Sequence, residues 1–192
     1  MMMYKCLLKG RRTPNVRALW PVRARVWTPV EEPALCTSGW HLATPEGLSQ
    51  HLCVGELWEA EGRGRSTGGA GKVAFAEARL LRKVGDVSEQ TLRTLACDFA
   101  EHVLDFWEAE YPGDLRPRTA IEVARRYARG EATVAGLKEA ADAAYAAAAY
   151  AHGRGAYGAA CAAWDAAAAA YFAAAAAAER RWQGARILEV VG

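Results

Sequence analysis

Between Phe99 and Arg118 the chain changes character, and this stretch constrains the fold more than any other. Phe99-Ala100-Glu101-His102-Val103-Leu104-Asp105-Phe106-Trp107-Glu108 carries helical periodicity, Tyr111-Pro112-Gly113 stops it, and Asp114-Leu115-Arg116-Pro117-Arg118 restarts it. Before it the sequence reads as short strands and turns. After it almost everything is alanine-rich helix. The 192 residues suffice for one large domain or two small ones, and this pattern favours two parts. Residues 1–85 read as a small basic mixed α/β module with a β-hairpin. Residues 86–192 read as an all-α, Ala-rich bundle of four to five helices. The expected class is α+β.

Charge follows the same division. Residues 1–85 hold 13 Lys/Arg against 7 Asp/Glu, a net +6, while residues 86–192 hold 11 against 15, a net −4. Halves of opposite sign attract each other or face different partners. The five cysteines are odd in number and form no CxxC pair, as expected for reduced thiols in a cytoplasmic protein. The N-terminus has no long apolar core of a secretory leader, and no apolar run is long enough for a bilayer span. A soluble protein is expected.

In the first module, Tyr4-Lys5-Cys6-Leu7-Leu8 is a strand, and Thr44-Pro45-Glu46 starts a short helix with Thr44 as N-cap and Pro45 at the first helical position. Glu56–Glu61 and Lys72–Leu81 form the two arms of a hairpin, and the glycine-rich segment 62–71 reads as a flexible connector. Gly71-Lys72 does not make this connector a phosphate loop, because Val73 and a strand follow where a Ser or Thr and a helix are required. Cys36, His41, His51 and Cys53 are all zinc-ligand types, yet their C-x4-H and H-x-C spacings match no common zinc finger. The plainer reading has His41 bonded to backbone groups and the cysteines as small core residues. Arg11, Arg12, Arg17, Arg23 and Arg25 are interleaved with Trp20 and Trp27, a pattern that offers phosphate pairing with base stacking to a nucleic acid.

In the second half, Asp86-x-x-Glu89 reads as a capping box. Leu92, Leu95, Phe99, His102 and Phe106 make a packing stripe, and Asp98, Glu101, Asp105 and Glu108 a separate acidic one that can receive a basic partner. Gly130 caps the next helix, Thr133 opens a third that runs to about His152, and a fourth follows from about Ala156. Gly184 divides that helix from a tail in which Ile187, Leu188 and Val190 dock. His102, with Glu101, Asp105, Arg116 and Arg118 nearby, has the residue types of a general base with an anion clamp. No nucleophile or metal motif accompanies it, and a core histidine is the better reading.

Two resemblances add to this. Tyr4-Lys5, Cys36-x-x-Gly39-Trp40-His41, Glu56-Leu57-Trp58-x-x-Glu61-x-x-Gly64, Lys72-Val73 and Arg79-Leu80-Leu81 resemble a phage and actinobacterial domain family with no assigned activity. Ala100-Glu101-His102-Val103-Leu104, Tyr111-Pro112-x-Asp114-x-Arg116-Pro117-Arg118-x-Ala120-Ile121-Glu122 and Ala128-Arg129-Gly130-Glu131, with the alanine repeats after them, resemble a bacterial immunity-protein family, the fifth-numbered among polymorphic-toxin immunity proteins. That resemblance implies a non-catalytic inhibitor without a cofactor that binds another protein, a toxin or a defence-system component. It makes His102, Arg116 and Arg118 signature residues rather than catalytic ones, and His41 is a signature residue of the first resemblance. Nucleic-acid binding through the basic module is the alternative, and an enzyme built on His102 the least favoured reading.

Overall fold

The computed structural model describes residues 2–14, 19–20, 26–29, 32–34, 37–69, 71–102, 104–153 and 181–192. Arg17, Arg23, Arg25, Cys36 and the expected fourth helix lie outside them.

Five strands form one antiparallel sheet: β1 (Met3–Leu7), β2 (Thr28–Pro29), β3 (Trp40–Ala43), β4 (Gly55–Gly68) and β5 (Lys72–Val87). β1 pairs with β3 and β4, and β5 pairs with β3 and β4, so these four strands close into a ring with β2 added along β5. In β1, Met3, Tyr4, Cys6 and Leu7 are all buried, which means that both faces of the strand are covered. One core gathers Met3, Leu7, Trp20, Leu42, Ala60, Ala78 and Leu80, with Trp40, Trp58, Val73 and Phe75 packed against it.

The hairpin is longer than its glycines suggest. Residues 62–68, expected as connector, continue β4. Register shifts between Leu57 and Trp58, Trp58 and Ala60, and Arg63 and Ser66 let the strand bend. Cross-strand ion pairs Arg63–Glu77 (2.7 Å), Arg79–Glu61 (2.6 Å) and Arg82–Glu59 line the two arms and add modestly to register. A 3₁₀ helix, η1 (Pro45–Gln50), follows β3, and the Thr44 hydroxyl accepts from Gly47 N at 3.2 Å.

The boundary near Gly85 is not a linker. Gly85 lies inside β5, and a Cβ there would stand 1.9 Å from the Val191 carbonyl oxygen. Residues 181–191 are helical and run through Gly184, where a Cβ would stand 2.1 Å from the Pro45 carbonyl oxygen. The C-terminal segment, grouped by sequence with the helical half, therefore packs on the sheet. Its two glycine contacts allow backbone approach that a side chain would block. Ile187 is fully buried and Val191 nearly so. The sheet unit accordingly comprises the chain through Leu92 together with this segment, and a second unit begins at Arg93.

The second unit contains most of α1 (Glu89–His102), then α2 (Leu104–Glu110), α3 (Arg116–Ala128) and α4 (Val134–Gly153). Ser88, not Asp86, caps α1: its hydroxyl accepts from Thr91 N at 3.0 Å, while Asp86 pairs with Lys83 in β5. Strand pairing as far as Val87 holds Asp86 extended and moves the cap two residues on. Pro117 falls in the first turn of α3, and Gly130, at φ 77°, ends it. The Thr133 hydroxyl accepts from Gly136 N at 3.1 Å, at the start of α4. Cys97, Leu104 and Ile121 form the described core of this unit, with Ala124 against it.

Candidate functional site

Two constellations carry chemistry, one in each unit. In the sheet unit, a pocket of 580 Å³ opens beside β1 and β3. β1 brings Lys5, β3 brings Trp40 and His41, the end of η1 and its C-cap bring Gln50 and His51, and β5 opens on Lys72. The segment around Thr13 and Trp20 completes the wall. Lys5 Nζ donates to the His41 carbonyl at 3.0 Å and stands 4.3 Å from the Trp20 ring centroid. Trp20 and Trp40 meet edge to face, their centroids 4.9 Å apart.

The electrostatics of this pocket are one-sided. Burial pushes the Lys5 ammonium down to about 8. Burial also lowers His51, and Lys72, Lys5 and His41 repel its proton further. His41 is lowered by the same causes, although its ring bonds the Gly39 carbonyl (3.1 Å) and the Ala34 carbonyl. His41 thus holds the turn that precedes β3.

Cys53 is bonded to Cys6. Its amide donates to Cys6 Sγ at 3.1 Å, and the two sulfurs are 3.0 Å apart. The shared hydrogen bond, with burial, raises the Cys6 thiol, while the same bond lowers Cys53. Among the described residues no group of three or more His, Cys, Asp or Glu could hold a metal ion. Of the four ligand types read from sequence, Cys53 is engaged with Cys6 and Cys36 lies outside the described residues.

In the helical unit, arginines of α3 grip acids of α1 and α2. Arg125 donates to Asp98 at 2.9 Å and to Glu101 at 2.6 and 2.8 Å, and Arg118 makes two 2.7 Å bonds to Glu108. Arg116 closes on Asp114 at 2.6 and 2.8 Å, within its own turn. These bonds hold the Glu101, Glu108 and Asp114 carboxyls below the usual range and raise Arg125 above its ordinary value. The acidic stripe expected to receive a partner is therefore largely spent inside the molecule. Asp98, Glu101 and Glu108 fasten α3, and Asp105 is the exposed remainder.

His102 also differs from expectation. It is exposed, and Leu104 is buried in its place. The packing runs through Leu95, Cys97 and Leu104 towards Ile121.

The nucleic-acid pattern loses its stacking partners. Trp20 is core, and Trp27 lies between the Arg63 and Arg79 guanidiniums at 4.1 and 4.6 Å. Arg11, at φ 57°, and Arg12 sit in a turn joined to Leu8 and Trp20 by backbone bonds. The signal for the pocket was present in sequence as Lys5, Trp20, Trp40, His51 and Lys72. These residues are spread over nearly 70 positions, and only the strand pairings bring them together.

The fold and these sites define an α+β protein whose helical unit is a bundle clamped by arginine–carboxylate forks. The chain belongs to the Imm-5 like putative immunity protein family, whose model matches residues 82–179, just over half of its length. Immunity proteins of this kind are typically non-catalytic and act by binding another protein. No curated protein and no solved structure matches the chain. Among the described residues no helix is long and apolar enough to cross a membrane.

Proposed function

We propose that the protein is a cytoplasmic toxin-immunity protein that holds a protein toxin in a stoichiometric, non-covalent complex. The family match over residues 82–179 carries this reading. The clamp supports it: with Arg118 and Arg125 locking α3 onto α2 and α1, the unit meets a partner with little ordering still to do, which favours tight binding. A counter-defence role, in which the bound protein belongs to a host defence system, uses the same surface chemistry and has no separate observation in its favour.

The experiment co-expresses the full chain with the product of each neighbouring gene that proves toxic when expressed alone. Co-expression is expected to restore growth to cells carrying one of these toxins, and the two purified proteins are expected to elute as a 1:1 complex. Growth arrest unchanged by co-expression, with no complex formed by any neighbouring toxin, overturns the proposal.

A further inference from the structure

Cys6 and Cys53 of the sheet unit are placed differently from Cys97 of the helical unit. Cys97 sits among hydrocarbon, in a core with Leu104 and Ile121, as a small apolar residue does. Cys6 and Cys53 instead meet across 47 positions of chain, their sulfurs 3.0 Å apart. The Cys53 amide donates to Cys6 Sγ at 3.1 Å, and the Cys6 thiol donates to the Cys53 carbonyl at 3.2 Å. Two residues on, a Cβ at Gly55 would stand 2.0 Å from the Leu7 carbonyl oxygen, so the chain entering β4 runs close against the end of β1. Backbone groups thus hold sulfur against sulfur, which hydrophobic packing alone does not require.

The two thiols are not equivalent. Cys6 is buried in β1, and its bond with Cys53, together with burial, raises its thiol. Cys53 is half-buried, in the segment 51–54 between η1 and β4. The bond with Cys6 lowers its thiol and the charge of Lys5 lowers it further, against the opposing effect of burial. The thiolate is the nucleophilic form of a cysteine, so Cys53 is the sulfur that reacts first. Size grades access to the pair: Cys6 lines the 580 Å³ pocket yet is only 5% exposed, an opening for a small reagent and not for a bulky one.

We infer that Cys53 and Cys6 form an oxidation site for peroxides, in which Cys53 takes the first oxygen and Cys6 resolves it into a reversible disulfide. The Cys53 thiolate attacks one peroxide oxygen. The O–O bond breaks, an S–O bond forms, and the departing hydroxide takes up a proton as water. The Cys53 sulfur has then given two electrons to the peroxide and stands as a sulfenic acid. The Cys6 sulfur attacks it, an S–S bond forms, and the hydroxyl leaves with the Cys6 proton as a second water. The sulfurs need approach by only about 1 Å for this bond, and segment 51–54 is in neither helix nor strand. The closed bond ties β1 to the entry of β4, and a small dithiol reopens it by exchange, becoming a disulfide itself. Transient, redox-sensing disulfides of this kind are the ones a reducing compartment permits.

Hydrogen peroxide tests this on the reduced full chain, with remaining thiols blocked by iodoacetamide after the reaction and peptides mapped by mass spectrometry. A Cys6–Cys53 disulfide is expected to form at least tenfold faster than Cys97 oxidises, and dithiothreitol to return both thiols. Dimedone present during the reaction is expected to label Cys53 and not Cys6. Cys6→Ser is expected to stop the reaction at the Cys53 sulfenic acid and increase that label, and Cys53→Ser to slow the oxidation of Cys6 at least tenfold. The order of labelling in the unmodified chain keeps the test decisive should either variant fail to fold. Dimedone on Cys6 in place of Cys53 overturns the assignment. So does Cys53 joined to a different cysteine, or a pair still reduced when Cys97 is oxidised. None of these results bears on toxin binding, so the two proposals fail separately.

Discussion

Replacing Ile187 by alanine removes three carbons from a side chain that has no exposed surface. At about 0.8 kcal/mol per buried methylene, the transfer contribution is roughly 2.4 kcal/mol. The cavity left behind adds to it, and buried Ile→Ala changes cost about 2–5 kcal/mol in total. The site has little freedom to collapse, because the helical segment 181–191 is held by backbone contact at both ends. Gly184 lies against Pro45, and Gly85 against Val191. A loss of about 3 kcal/mol is therefore expected.

Urea unfolding checks this when it is followed by probes that separate the two units, such as near-ultraviolet circular dichroism for the tryptophan-rich sheet unit and far-ultraviolet for the helices. The loss must appear in the sheet transition, since Ile187 belongs to that unit. Glu189→Ala is the control. Its side chain is 70% exposed and pairs with Arg186 at the surface, so a change within about 0.5 kcal/mol is expected. A loss below about 1 kcal/mol for Ile187→Ala, or one confined to the helical transition, would refute the docking of the C-terminal segment on the sheet.

Three further outcomes follow from the same structure. The Glu101 carboxyl is depressed chiefly by its bond to Arg125; its contribution to stability is complete above its ordinary pKa of 4.5 and disappears as pH falls through the lower folded value. Arg125→Ala should accordingly destabilise the helical unit at pH 7 and flatten its loss of stability below about pH 4.5, and an acid-unfolding profile identical to wild type would contradict the clamp. Cys53 should alkylate with iodoacetamide faster than Cys6 or Cys97, because its thiol is lowered and less buried while theirs are raised; peptide mass spectrometry over a time course decides, and Cys6 reacting first would refute the assigned direction. Diamide, reduced to its hydrazine as two thiols lose their hydrogens, should join Cys6 to Cys53 across their 3.0 Å separation, read as a two-dalton loss on the linked peptides.

Local chemistry was legible wherever the deciding atoms are neighbours in sequence. Thr44-Pro45 as a helix start, Pro117 in the first turn of α3, Gly130 at its end and Thr133 at the head of α4 all depend on contacts within about four residues. So does the hairpin of β4 and β5, although its arms extend beyond the glycines that were read as connector. The family signature in the second half was readable for the same reason, being a run of adjacent residues.

Side-chain pairing was not legible, because it depends on which elements are brought together. The acids of α1 and α2 looked like an open surface until α3 placed Arg118 and Arg125 on them. His102 looked buried, yet it is exposed and Leu104 packs instead. Trp20 and Trp27 resembled stacking platforms, yet one lies in the core and the other between two arginines.

Sequence alone thus determined the α+β class, several of the helix ends and the family. These are set by backbone propensity and short-range hydrogen bonds, which each segment carries with it. Only the tertiary structure decided that 181–191 belongs to the sheet, that the acidic stripe is already occupied, and that Lys5, His51 and Lys72 share one pocket. Those outcomes rest on close approach between distant segments, where burial and the low local dielectric give each charge its consequence.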